Sequence, residues 1–184
     1  MKVIWLAALL FFQLTLAATA STHTHPASEL TDEEVRLFYG LFKDVKRFGL
    51  ISVSLVGDAQ KIGLNELELT QLMDDKFRST FCNIEYEDLT QTPEKLAAAI
   101  GKRDRQIGII TFRVWVMGTD YPLAYHVRCD AGSFENPAIW TEEVLGHGSN
   151  RTAPAAIKEI MSELMRQLAT NFLKARSEKC QRES

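Results

Sequence analysis

"IGIITFRVWVMGTDYPLAYHVRCDAG", residues 107–132, alternates apolar and polar side chains on either side of a short turn. In its first half Ile110, Phe112, Val114 and Val116 share one face, and Thr111, Arg113 and Trp115 the other. In its second half Leu123, Tyr125, Val127 and Cys129 oppose Ala124, His126 and Arg128. A period of two sustained over this length predicts strands with one covered face. The turn between them is "GTDYP", 118–122. "AIWTEEVLGHGS", 138–149, reads as a third and less regular strand, which completes an antiparallel meander.

The rest of the chain is arranged around this meander. Downstream, "APAAIKEIMSELMRQLATNFLKARS", 153–177, carries Ile157, Ile160, Met161, Leu164, Leu168 and Phe172 at helical spacing, so a long amphipathic helix closes the chain. Upstream, Thr92 and Pro93 open a helix that ends in the charged run "GKRDRQ". "NIEYEDL", 83–89, reads as a short strand. Leu69, Leu72, Met73, Phe77 and Phe81 form one face of a helix before it. "LISVSLVGDA", 50–59, is a strand of alternating β-branched residues. "LTDEEVRLFYGLFKDVKRFG", 30–49, opens with the capping-box pair Thr31 and Glu34. It continues with an apolar stripe of Val35, Phe38, Leu41, Phe42 and Val45, and Gly49 ends this helix or marks its last turn. The sum is an α/β (α+β) fold: a mixed sheet of about five strands, including the three-strand antiparallel meander, with amphipathic helices packed on it.

Residues 1–20 have the charged start, apolar run and small-residue end of a secretory signal peptide. The apolar run is shorter than the ~20 residues of a membrane span, so membrane association is expected only if this leader stays uncleaved. A flexible tail at 21–29, a single domain at 30–176 and a polar tail at 177–184 follow. A cut after Ala20 exposes Ser21-Thr22-His23. The α-amine, two backbone amides and the His23 imidazole then form a square-planar nitrogen set suited to Cu(II) or Ni(II). Leftover polar residues after a cut site explain "STHTH" as well, His25 included.

The chain carries 21 Lys and Arg against 24 Asp and Glu, a net charge of −3. No basic stripe with interleaved aromatics occurs, so nucleic acid is not an expected partner. The three cysteines, Cys82, Cys129 and Cys180, show neither C-x-x-C nor zinc-ligand spacing. Cys129 falls on the inward face of its strand as a buried thiol. If the first and last strands run alike, the helices after them end together, which brings Cys82 near Cys180 for a disulfide.

Few residues carry chemistry. "GHGSNR", 146–151, is glycine-rich and precedes a helix, but lacks the Walker lysine and spacing, and a plain turn suits it better. Asn150-Arg151-Thr152 is a glycosylation sequon, relevant only on a eukaryotic secretory path. Neighbours in the acidic pairs Asp74-Asp75 and Glu142-Glu143 point in different directions, which makes neither a carboxylate dyad. His147 has no serine or cysteine nucleophile with an identifiable setting beside it. Arg113, Trp115 and His126 belong to the outward side of the sheet. Two arrangements stay open for that side: it faces solvent as a binding surface, or the first helix or the 93–100 helix covers it. An exposed aromatic patch around Trp115 or Trp140 is the mark of the first.

A strand, a helix carrying "LTQLMDDKFRSTF", the segment "IEYEDL", paired strands and a closing "AIKEIMSELMRQLATNFL" resemble a group of uncharacterised exported bacterial proteins over about residues 35–176. The layout is similar to small α/β accessory domains of the cell envelope: the TolB amino-terminal, LpoB and CsgG types. The resemblance implies a periplasmic or secreted location, a protein partner in the envelope, and a binding or assembly role. It supplies no catalytic residue and no cofactor. An enzyme built around His126 or His147, and a copper or nickel protein using Ser21, Thr22 and His23, are the competing expectations.

Overall fold

A computed structural model describes residues 30–82 and 84–178. Four strands form one mixed sheet in the order β1-β2-β3-β4: β1 (Arg47–Gly57), β2 (Ile107–Met117), β3 (Leu123–Ser133) and β4 (Trp140–Gly148). β1 and β2 are parallel, and the pairs β2/β3 and β3/β4 are antiparallel, as the alternation predicts for the meander. Four α-helices are present among the described residues: α1 (Asp32–Phe38), α2 (Glu66–Thr80), α3 (Pro93–Lys102) and α4 (Ala153–Arg176). Among the described residues the fold is therefore α+β with a mixed sheet, one strand short of the number expected.

Among the described residues 84–89, the strand expected at 83–89 is reduced to a single parallel bridge between Phe48 and Tyr86. Phe48 N donates to Glu85 O at 2.9 Å, and Glu87 N donates to Phe48 O at 3.0 Å. Pairing then stops because Asp88 turns the chain: its carboxylate accepts from Thr90 N at 2.9 Å and starts a 3₁₀ turn, Leu89–Gln91. Glu87 is anchored from both sides, by Arg47 at 2.8 Å and Lys95 at 2.6 Å.

The first helix is also shorter than its pattern suggests. Thr31 and Glu34 do form the capping box: Thr31 N donates to Glu34 Oε2 at 2.8 Å, and Glu34 N donates to Thr31 Oγ1 at 3.3 Å. The helix nevertheless ends at Phe38, and a 3₁₀ turn, Gly40–Lys43, shifts the phase. Val35, Phe42 and Val45 are buried, whereas Phe38 and Leu41 of the same stripe face solvent. Arg176 of α4 fixes this segment by donating to Phe42 O at 3.3 Å and to Val45 O. Gly49 does not stop a helix; it lies inside β1 beside a register shift. A Cβ there would meet Ile107 Cγ2 at 2.6 Å and Leu89 Cδ1 at 2.7 Å, so only glycine lets β1 and the 89–91 turn close over β2. Thr31→Ala is expected to cost about 1 kcal/mol, the usual worth of an N-cap. Urea melts by circular dichroism check this.

α2 and α4 cover one side of the sheet. Leu69, Met73, Phe77 and Phe81 from the α2 segment, and Ile157, Met161, Leu164, Leu168 and Phe172 from α4, are buried against Ile110, Phe112, Val114, Val116, Leu123, Tyr125 and Val127. β4 runs in the same direction as β1, since two antiparallel steps follow one parallel step. The helices that follow β1 and β4 consequently end side by side, where Phe81 and Phe172 have ring centroids 5.5 Å apart. Cys129 is buried and free within this core. Burial, then the nearby Asp130 charge, pushes its thiol pKa well up.

Candidate functional site

The other side of the sheet decides between the two arrangements left open by the sequence. α3 covers only one end of it, where Leu89, Ala99 and Ile107 make a small separate cluster with Leu96 and Phe134. Beyond Ile109 no described helix lies over the outward positions of β2, β3 and β4. Arg113 and Trp115 on β2, His126 and Arg128 on β3, and Glu143, Leu145 and His147 on β4 are exposed or half-buried there.

Arg113, Trp115 and His126 are brought together as one cluster. Trp115 and His126 are direct partners across β2/β3, and their rings stack with centroids 5.0 Å apart and planes 18° from parallel. The Arg113 guanidinium carbon lies over the Trp115 ring, 5.8 Å from its centroid. His126 Nε2 lies 3.2 Å from Glu143 Oε2.

The strand register places Arg113 opposite Arg128, a like-charge pair that is unfavourable by itself. Asp130, two residues along β3 from Arg128, resolves the conflict. It accepts from Arg113 Nη2 at 3.0 Å, from Arg128 Nη2 at 2.8 Å and from the Thr141 hydroxyl at 2.7 Å. Asp130 is 4% exposed. Burial pushes its pKa up, but the bonds from Arg128, Thr141 and Arg113 outweigh this and hold it below the ordinary carboxylate value. Arg128 is pushed up in turn, chiefly by its hydrogen bond to Asp130. Asp130 and Thr141 are members of this network that the sequence reading did not single out, and Glu143 was read there only as half of an acidic pair. For Asp130 the signal was present: "HVRCD" puts His126, Arg128 and Asp130 on one side of a period-two strand.

Exposed apolar side chains surround the cluster: Met117 is 75% and Leu145 64% exposed, and Val56 extends the patch onto β1. Trp and Arg are the residues that most often carry interface energy, and these are already held in place by their neighbours. The face is suited to contact with another surface.

The remaining candidates fall elsewhere. Trp140 is not part of an exposed patch; it points inward and is fully buried. Glu142 and Glu143 lie on opposite sides of β4. Glu142 is half-buried and its pKa is raised, first by burial and then by Glu143. Asp74 pairs with Arg78 at 3.3 Å on α2. The glycine-rich stretch is not a loop over its first half, because Gly146, His147 and Gly148 belong to β4 and pair with Tyr125, Ala124 and Leu123. Gly146 is glycine because the Tyr125 ring occupies the space of a side chain there. The turn that follows is closed by Thr152 N donating to Ser149 O at 3.1 Å, with Asn150 exposed. His147 and His126 both stand on the open face. Neither lines the groove along the free edge of β1, which is bordered by Ser52, Val53, Leu64, Glu66, Thr70 and Thr90. Glu66 caps that edge by accepting from Leu55 N at 2.9 Å. Ser21, Thr22, His23, His25 and Cys180 lie outside the described residues, as do residues 1–20. Among the described residues no group of three or more His, Cys, Asp and Glu is placed to hold a metal, and no helix is long and apolar enough to cross a membrane.

No family model and no curated protein matches the chain. Among solved structures it is similar to the PelC dodecamer from Paraburkholderia phytofirmans, at 12% identity and a TM-score of 0.38, covering 70% of this chain and 88% of that one. It is likewise similar to a single-substitution form of the same dodecamer, at 10% identity and a TM-score of 0.40, covering 70% of this chain and 89% of that one.

Proposed function

We propose that this chain is an exported binding or assembly domain of the bacterial cell envelope that acts without catalysis, through the outward face of its sheet. The observation that carries the reading is the Arg113–Trp115–His126 cluster, locked by Asp130 and left open beside exposed Met117 and Leu145. A sheet side turned toward solvent is ordinarily polar. This one instead combines an aromatic stack, both signs of charge and an apolar rim, the composition of a contact surface. The leader at residues 1–20 supports a periplasmic or secreted location.

The Cys82–Cys180 disulfide belongs to the same reading. Its support is the meeting of the α2 and α4 ends at Phe81 and Phe172. The mass of the exported chain is expected to show a start at Ser21 and two hydrogens fewer than after reduction. A reduced chain with residues 1–20 intact contradicts export. A start other than Ser21 ends the Ser21-Thr22-His23 copper or nickel alternative.

The contact role is tested by placing a photoreactive residue at position 117 on the face, and at exposed position 67 on α2 as control, in exporting cells. Adducts at 117 that are absent at 67 are the expected result. Equal labelling at both positions, or none at either, refutes the reading.

A further inference from the structure

We propose that the partner seated on this face is a second copy of the chain, packed sheet to sheet about a two-fold axis running along β3. The inference rests on the reading of the face as a contact surface and names its occupant. It follows from the order of side chains across the sheet. In one row Arg113, Arg128 and Glu143 succeed one another from β2 to β4. In the next the order is Trp115, His126 and Leu145, and in the third Met117, Ala124 and His147. The cation at the β2 side is half-exposed and the carboxylate at the β4 side more so.

A two-fold axis over β3 lays β2 of one copy on β4 of the other and keeps each row opposite itself. Arg113 then faces the partner's Glu143, Trp115 faces the partner's Leu145, and Met117 faces the partner's His147. By the symmetry each contact occurs twice. The roughly 30° angle between packed sheets leaves these rows adjacent near the axis. Other placements lose the match. An axis between β2 and β3 sets Arg113 against the partner's Arg128. An axis across the strands lays β2 on β2 and the cation against its own strand. A shift toward β4 leaves Trp115 and Met117 uncovered. The asymmetry of charge from β2 to β4 therefore selects one self-complementary arrangement. Arg128 stays neutralised within its own chain by Asp130, so the two copies of Arg128 meeting near the axis do not oppose it. The patch is only three rows of side chains deep across three strands, smaller than a standard interface, so association on the order of micromolar is expected.

The test is sedimentation equilibrium of the mature chain across micromolar concentrations, with Arg113→Glu, Glu143→Arg and the double variant. The wild type is expected to show monomer and dimer. Each single change sets like charges against each other and should raise the dissociation constant roughly tenfold or more, and the double change should restore it. Thermal melts confirm that each variant is folded. Met117→Arg, at a three-quarters exposed position, sets a cation against the partner's His147 and provides a second disruption that does not touch the Asp130 network. A monomer at every concentration overturns the proposal; position-117 adducts to another protein would then leave the envelope reading standing, and their absence would remove both. A dimer indifferent to all these substitutions places the contact elsewhere and also overturns it.

Discussion

Phe48→Ala will destabilise the folded chain by about 3–5 kcal/mol, the range for truncating a fully buried aromatic. Phe48 is 0% exposed and joins three elements at once. Its ring stands edge-on to Phe77 at 5.1 Å and to Phe81 at 5.3 Å, and is tilted against Phe172 at 5.3 Å. Edge-to-face pairs of this kind add about 0.5–1.5 kcal/mol each beyond the area they bury. Collapse of the site is limited from two directions. Phe77 and Phe81 are already stacked on one another at 4.2 Å, and the Phe48 ring fills the space above Gly108, which has no side chain to move in. Urea unfolding followed by circular dichroism measures the loss. A shift under about 1 kcal/mol would mean that these rings do not form one core.

Asp130→Ala is the second large effect, about 2 kcal/mol. It leaves two arginines facing each other with no anion between them and removes the acceptor of the Thr141 hydroxyl. The figure stays below that of a fully buried pair because Arg113 and Arg128 retain part of their hydration. The pH dependence has a definite sign. The Asp130 pKa is depressed in the folded chain, so its stabilisation is complete above the unfolded value of about 3.9 and is lost as pH falls through the folded value. The advantage of wild type over Asp130→Asn is therefore expected to hold from neutral pH down to about pH 4 and to shrink below it. Parallel melts at a series of pH values check this, and an advantage that grows on acidification would contradict it. The same substitution should loosen the Arg113–Trp115 contact, visible as a change in tryptophan emission, since Trp140 is buried away from the face.

The meander and the inward faces of α2 and α4 were legible because one periodicity governs each over ten or more residues. The outward side of β2 and β3 was legible for the same reason, which is how Arg113, Trp115 and His126 were found. That this side is open was not legible, because the position of α3 depends on the 89–91 turn and on the close approach at Gly49, both tertiary features. The helix boundary at Phe38 and the loss of the 83–89 strand have the same origin. In the first case bonding switches to the 3₁₀ pattern, with Phe42 N donating to Tyr39 O, and in the second Thr90 N donates to the Asp88 carboxylate; each ends an element that the pattern would have continued. The role of Glu143 depends on β3/β4 register, which a strand as irregular as "AIWTEEVLGHGS" does not specify from sequence.

The central claim, that the sheet face of β2, β3 and β4 is the surface by which this domain makes contact, is tested most directly by the oxidation rate of Met117. Met73, Met161 and Met165 are buried and provide internal references. Dilute purified protein and the protein in the intact envelope are exposed to the same brief dose of peroxide, and each methionine is followed by mass spectrometry. The account predicts fast oxidation of Met117 in the dilute protein and a rate slowed toward that of the buried methionines in the envelope. Equally fast oxidation of Met117 in both states would contradict it.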